Sequence, residues 1–140
     1  MGFKVKIEAN ETITLGSETV TTVKFVTDTP NDSNARSTDL GLELVISGKI
    51  RANVAGVADE TVKLPVWALI PASQSQCYGK VTVDVISAGK EVRQIIMDTA
   101  YVVSYKESFS DETGVGTFTL QVRQKKDMNN KVQYLGGFDF

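Results

Sequence analysis

Side chains suited to covalent or acid–base chemistry are scarce in this chain, and local structure accounts for those that occur. There is no histidine, which removes the usual general base, the Ser–His and Cys–His nucleophile systems, and the imidazole ligands of most zinc and copper sites. Cys77 is the only cysteine. With no histidine to activate it and no second thiol to share a metal, it reads as a bystander near a strand start. Carboxylates stand side by side at Asp59-Glu60 and Asp111-Glu112, the residue type an acid–base pair needs. The first pair falls where a helix cap is expected and the second in a turn, and neighbours in an extended chain point to opposite faces. Gly114-Val115-Gly116 precedes a strand rather than a helix and lacks the third glycine or the Gly-Lys-Ser/Thr of a phosphate cradle. Asp32-Ser33-Asn34 has calcium-like oxygen spacing without the sixth-position glycine and closing glutamate of a helical calcium loop. We assign no catalytic residue, cofactor or metal, and expect a protein that is not an enzyme.

The elements around these residues are extended. Tyr78 to Lys126 reads as three long strands joined by two turns. Lys80 to Val85 alternates polar and apolar, Ser87-Ala88-Gly89-Lys90 turns, and Glu91 to Ser110 is extended and β-branched. Asp111 to Gly116 turns again, and Thr117 to Arg123 alternates to its end. Phe3 to Glu8, Glu18 to Thr27 and Leu42 to Ile50 add three strand candidates bounded by Gly, Asn, Asp or Ser. One short helix is expected over about residues 61–70. Val62, Val66, Leu69 and Ile70 fall at helical spacing there, Leu64 and Trp67 widen the stripe, Asp59 or Thr61 caps the start, and Pro71 forces the end. Trp67 is expected to be a core anchor. The fold class is therefore mostly β, an antiparallel two-sheet sandwich or barrel in a single 140-residue domain, with one flanking helix and an extended polar loop at about 28–41.

Composition narrows the partners. A hydrophobic fraction of 41% with 23% charged residues fits a folded globule, and the apolar runs are too short to span a bilayer. Lys and Arg number 15 against 17 Asp and Glu, so no broad positive field invites nucleic acid or anionic lipid. We expect neither nucleic-acid-specific binding nor membrane insertion. The start, Met1 to Glu8, alternates like a strand and lacks the apolar segment of a secretory signal, which implies cytoplasmic synthesis.

The order helix, strand, turn, long strand, turn, strand in Thr61 to Arg123 resembles the haemolysin-coregulated tube proteins of type VI secretion and the tail-tube proteins of contractile phages. The resemblance rests on Gly79-Lys80-Val81-Thr82-Val83-Asp84-Val85-Ile86-Ser87-Ala88-Gly89-Lys90-Glu91-Val92 and on Asp98-Thr99-Ala100-Tyr101-Val102-Val103-Ser104-Tyr105. The family strand reads L-x-x-A-x-V-x-x-Y, and Met97, Ala100, Val102 and Tyr105 occupy those places here. The resemblance implies a structural protomer that forms six-membered rings stacked into a hollow tube, with sheath, baseplate or cargo proteins as further partners. It also implies that the 28–41 loop packs against an adjacent subunit or ring. Subunit-contact candidates are accordingly Thr29, Asn31, Asp32, Asn34, Arg36 and Asp39. To these the residues themselves add the charged pair Lys125 and Lys126 and the apolar tip Phe138 and Phe140 behind two glycines.

Thr19, Thr21, Thr82, Thr117, Thr119, Gln121 and Arg123 would give strand faces a wetted side, as a tube wall requires and as any half-exposed sheet also shows. The alternative function is a small-ligand or carbohydrate-binding β-module, with Trp67, Tyr78, Tyr101 and Tyr105 lining a site. An enzyme using only carboxylates or serine ranks behind both.

Overall fold

The computed structural model describes residues 1–29, 40–50, 59–112 and 115–136. Among the described residues eight strands form: β1 (Gly2–Glu8), β2 (Thr12–Leu15), β3 (Val20–Asp28), β4 (Gly41–Ile50), β5 (Gly79–Ser87), β6 (Lys90–Phe109), β7 (Gly116–Gln124) and β8 (Gln133–Gly136). The helix α1 (Lys63–Ala68) is preceded by a 3-10 turn, Glu60–Val62. The strands arise from the period-two pattern. Val5 and Ile7, Leu42, Leu44 and Ile46, Val81 and Val83, and Phe118, Leu120 and Val122 all reach one buried cluster, and each such side chain contributes roughly 1.5–3 kcal/mol by leaving water.

The fold is the expected one, mostly β and antiparallel with a flanking helix. Its strands belong to one hydrogen-bonded sheet, in the order β2-β1-β5-β6-β7-β4-β3. The sheet curls so that β1 packs against β3, one core fills the interior, and the end strands β2 and β3 do not pair, so it stops short of a closed barrel. β6 is the long member. Its first half pairs with β5 and its second with β7, while β8 continues β7's line along the same edge of β6, opposite Arg93 to Ile96.

The spacing Met97, Ala100, Val102, Tyr105 departs from period two because the β6 ladder is irregular twice within this stretch. One residue separates Gly79 from Val81 where two separate Ala100 from Met97, and Val103 is the extra residue between Val102 and Ser104. Each bulge resets the pleat, so all four side chains pack in or against the core.

Two strands depart from expectation. β2 and β8 have only four residues each, too few for alternation to be told from a loop. The helix forms where expected and is shorter, and its buried face differs. Thr61, Leu64 and Trp67 are buried, whereas Val62, Val66 and Leu69 are exposed, because the curled sheet lies on the Leu64–Trp67 side. Of the threonines, Thr19 sits in the turn before β3 rather than on a strand. The loop centre 30–39 and the tail 137–140 lie outside the described residues.

Candidate assembly surface

Trp67, Tyr78, Tyr101 and Lys125 meet at the base of the β6–β7 hairpin. Gly79, Ala100 and Gln124 sit side by side across β5, β6 and β7, and α1 packs against β6 there. Asp59 caps the helical segment, accepting from the Thr61 amide at 3.0 Å and also from the Thr61 hydroxyl. Lys63 bonds the Thr12 carbonyl of β2 at 3.2 Å and pairs with Glu60 at 2.7 Å. The Glu60 carboxylate raises the Lys63 pKa above its ordinary value. Both carboxylates of the first pair are thus occupied by capping and pairing.

Trp67 is the expected anchor. Its ring is 1% exposed and its indole N–H donates to the Cys77 carbonyl at 2.9 Å. Beside it opens a cleft of about 220 Å³ lined by Trp67, Ala68, Ile70, Cys77, Tyr78 and Tyr101, among others. Tyr78 and Tyr101 meet edge to face at 6.2 Å, and the Lys125 ammonium lies 5.4 Å from the Tyr78 ring centroid. Lys125 is also tied by its amide to the Thr99 carbonyl at 2.8 Å and by its side chain to Asp127 at 3.6 Å. Lys126 is exposed next to it.

Of the subunit-contact candidates, Lys125 stands at the rim of this cleft, over Tyr78, and Lys126 follows it in sequence, exposed. Thr29 follows β3, half-buried, where Asp28 pairs with Gly41. Asn31, Asp32, Asn34, Arg36, Asp39, Phe138 and Phe140 lie outside the described residues. Trp67, Tyr78 and Tyr101, suggested for a ligand site, do share one cleft. Its volume is below the roughly 300–1,000 Å³ usual for small-molecule sites, and Tyr105 is not part of its lining. Tyr105 instead donates to Glu107 at 2.6 Å. Burial first, and this hydrogen bond second, push its pKa well above the ordinary tyrosine value.

The outward face of β4 and β7 is polar. Arg123 pairs with Glu43 at 3.4 Å, the Gln121 amide also donates to Glu43, and Ser47 and Thr119 share a hydrogen bond at 3.3 Å. On β5 and β6, Gln94 donates to Asp84 at 2.8 Å. A hydrogen bond to Asp84 raises the Glu91 pKa. Among the described residues no group of three or more His, Cys, Asp or Glu side chains could hold a metal, and no helix is long and apolar enough to cross a membrane.

Sequence reasoning missed two features. Gln124, read only as the end of a strand, is a buried polar side chain, and its neighbours in sequence give no sign of that. Phe109, at the far end of the hairpin, is 68% exposed beside Val115 at 42%. Its place before the Asp111-Glu112 turn is the signal that could have marked it.

No protein-family model matches the sequence, and no curated protein does. Among solved structures, the chain is similar to Hcp1 from Flavobacterium johnsoniae, at 18% identity over 100% of both chains with a TM-score of 0.57. It is similar to a chain of the anti-feeding prophage baseplate, at 14% identity over 96% of this chain and 93% of that one, TM-score 0.55. It is also similar to a chain of the PVC extracellular contractile injection system sheath–tube complex, at 10% identity over 97% and 89%, TM-score 0.53. The likeness is one of fold, and it covers the first half of the chain as well as the Thr61 to Arg123 segment.

Proposed function

We propose that this chain is the structural protomer of a hollow tube, built of stacked rings that are six-membered, in a phage tail-like or type VI-like contractile apparatus. The observation that carries the reading is the full-length likeness to Hcp1 and to chains of two contractile injection assemblies, one of them solved with 6-fold symmetry. The fold itself supports it. Among the described residues, the outer edges of β2, β3 and β8, and the edge of β6 from Tyr101 to Phe109 that faces away from β7, have no strand partner. Unpaired edges template association unless another chain covers them, and a closed ring covers them without leaving an end. The polar outward face of β4 and β7 suits a water-filled lumen. Sheath and baseplate proteins are the further partners of such a tube, and a catalytic role is not part of the reading.

Light scattering behind size-exclusion chromatography, with negative-stain microscopy of the same fractions, tests it. Rings, alone or stacked, are expected. A strict monomer at high concentration with no rings on the grid overturns the proposal.

A further inference from the structure

The β6–β7 hairpin carries two surfaces that match each other and cannot meet within one molecule. At its tip, Phe109 is 68% exposed and Val115 42%, and the turn between them holds the exposed acids Asp111 and Glu112. At its base lies the cleft of about 220 Å³ lined by Trp67, Ala68, Ile70, Tyr78 and Tyr101. Lys125 reaches over Tyr78 at the rim, and Lys126 stands exposed beside it. The apolar lining continues outward into Leu69, 81% exposed, between the lining residues Ala68 and Ile70. Tip and cleft are separated by the run of β6 from Tyr101 to Phe109, about 25 Å at the strand rise.

We propose that the hairpin tip of one copy docks into the cleft of the next, Phe109 against Ile70, Tyr78 and Tyr101, with Asp111 and Glu112 facing Lys125 and Lys126. The occupant is a second copy of this chain for three reasons. An apolar residue followed by two acids meets an apolar cleft with the Lys125 ammonium over its Tyr78 wall, so the charges complement one another, Lys125 giving up its 3.6 Å pair with Asp127. The cleft is too small for a drug-sized ligand and is sized for one aromatic side chain. The two surfaces lie at opposite ends of one hairpin, so the contact is heterologous and runs from copy to copy, and where the outer strand edges already close each ring it falls between rings. In the tube this is the contact between successive rings, and the inference rests there on the tube reading.

The test uses the full-length chain. Phe109→Asp spoils the tip, and Lys125→Glu with Lys126→Glu spoils the rim while leaving the Lys125 amide bond to Thr99 in place. Circular dichroism checks that both variants fold. Sedimentation velocity and negative-stain microscopy then score rings and stacks. Each variant alone is expected to keep rings and lose stacking, with each tip contact weakened roughly 10- to 100-fold. Mixed together, the intact cleft of one variant takes the intact tip of the other, giving stacks of two rings and none longer. Wild-type stacking by Phe109→Asp, or a mixture that yields only single rings, overturns the proposal. If the wild type forms no rings, the tube reading falls by itself. The tip-to-cleft contact then stands only if the wild type forms concentration-dependent oligomers that Phe109→Asp abolishes, and it falls if there are none.

Discussion

The side-chain carbonyl of Gln124 accepts a hydrogen bond from the Thr99 amide at 3.1 Å. Thr99 lies in the β6 bulge between Met97 and Ala100, where the ladder to β5 skips. A bulged residue loses its ladder partner, and Gln124, 1% exposed, supplies the replacement. Its amide nitrogen donates in turn to the Met128 carbonyl at 2.9 Å, so one side chain fastens the hairpin base to the turn that carries Lys125 and Lys126.

Gln124→Leu removes both bonds and keeps the bulk. The Thr99 N–H and the Met128 carbonyl, both part-buried, lose their partners, and water replaces them only in part. We expect a loss of stability of about 1–3 kcal/mol in urea denaturation. Faster amide exchange should appear at Thr99 and through Lys126–Lys131 before it appears in β4.

A second prediction concerns Gly48 in β4. A Cβ there would collide with the Thr19 carbonyl oxygen, which also accepts the Lys49 amide at 2.8 Å, and would stand 2.8 Å from the Phe118 ring. Glycine inside a strand marks such a close approach. Gly48→Ala therefore has to push backbone aside, and the expected cost is about 1–3 kcal/mol, the range for overpacked cores. Thermal unfolding reads it directly. A neutral result would mean that the turn before β3 yields freely.

Much of this architecture was legible because alternation is the signature of a half-buried strand. Val81 and Val83, Leu44 and Ile46, and Leu120 and Val122 each announce an inward face, and all are buried. Trp67 was legible as an anchor from its size and its place in a short helix. The buried face of α1 was not. Six large apolar residues crowd into nine positions there, so periodicity alone does not choose between the Leu64–Trp67 side and the Val62–Val66–Leu69 side. Only the sheet beneath decides. The cleft was half legible. Its aromatic residues stand out together in the sequence, and Tyr105 groups with them there because a sequence does not show the bulge at Val103 that re-aims the end of β6. Phe109 escaped notice for a related reason. Its alternation marks it as a strand residue, and only the end of the sheet leaves it uncovered.

Trp67 supports a third prediction. The indole N–H satisfies the Cys77 carbonyl at 2.9 Å, and the ring edge lies against Gly79, where an added Cβ would come within 3.2 Å of it. Trp67→Phe keeps an aromatic ring, loses the donor and leaves a partial void. An unpartnered carbonyl costs about 1–3 kcal/mol, and the void adds to it. We expect a total on the order of 3 kcal/mol by denaturant titration. Chemical labelling of Cys77, buried in the parent, should accelerate in the variant because the cleft wall loosens.

The last prediction is a pH dependence. Burial and the hydrogen bond to Glu107 hold the Tyr105 pKa above the ordinary 10.0. In the unfolded chain neither effect operates. Above about pH 10 the unfolded chain therefore gives up a proton that the native state still holds, and stability falls as pH rises wherever the native state binds more protons. The Tyr105 contribution is complete below pH 10.0 and is lost on the alkaline side as pH climbs toward the native value. Ultraviolet titration of the four tyrosines should show one that ionises late, and Tyr105→Phe should remove that one. Glu107→Gln should bring its titration back toward neutrality in part only, because burial, the larger cause, remains. Late ionisation that survives in Tyr105→Phe would assign the effect to another tyrosine and refute the prediction.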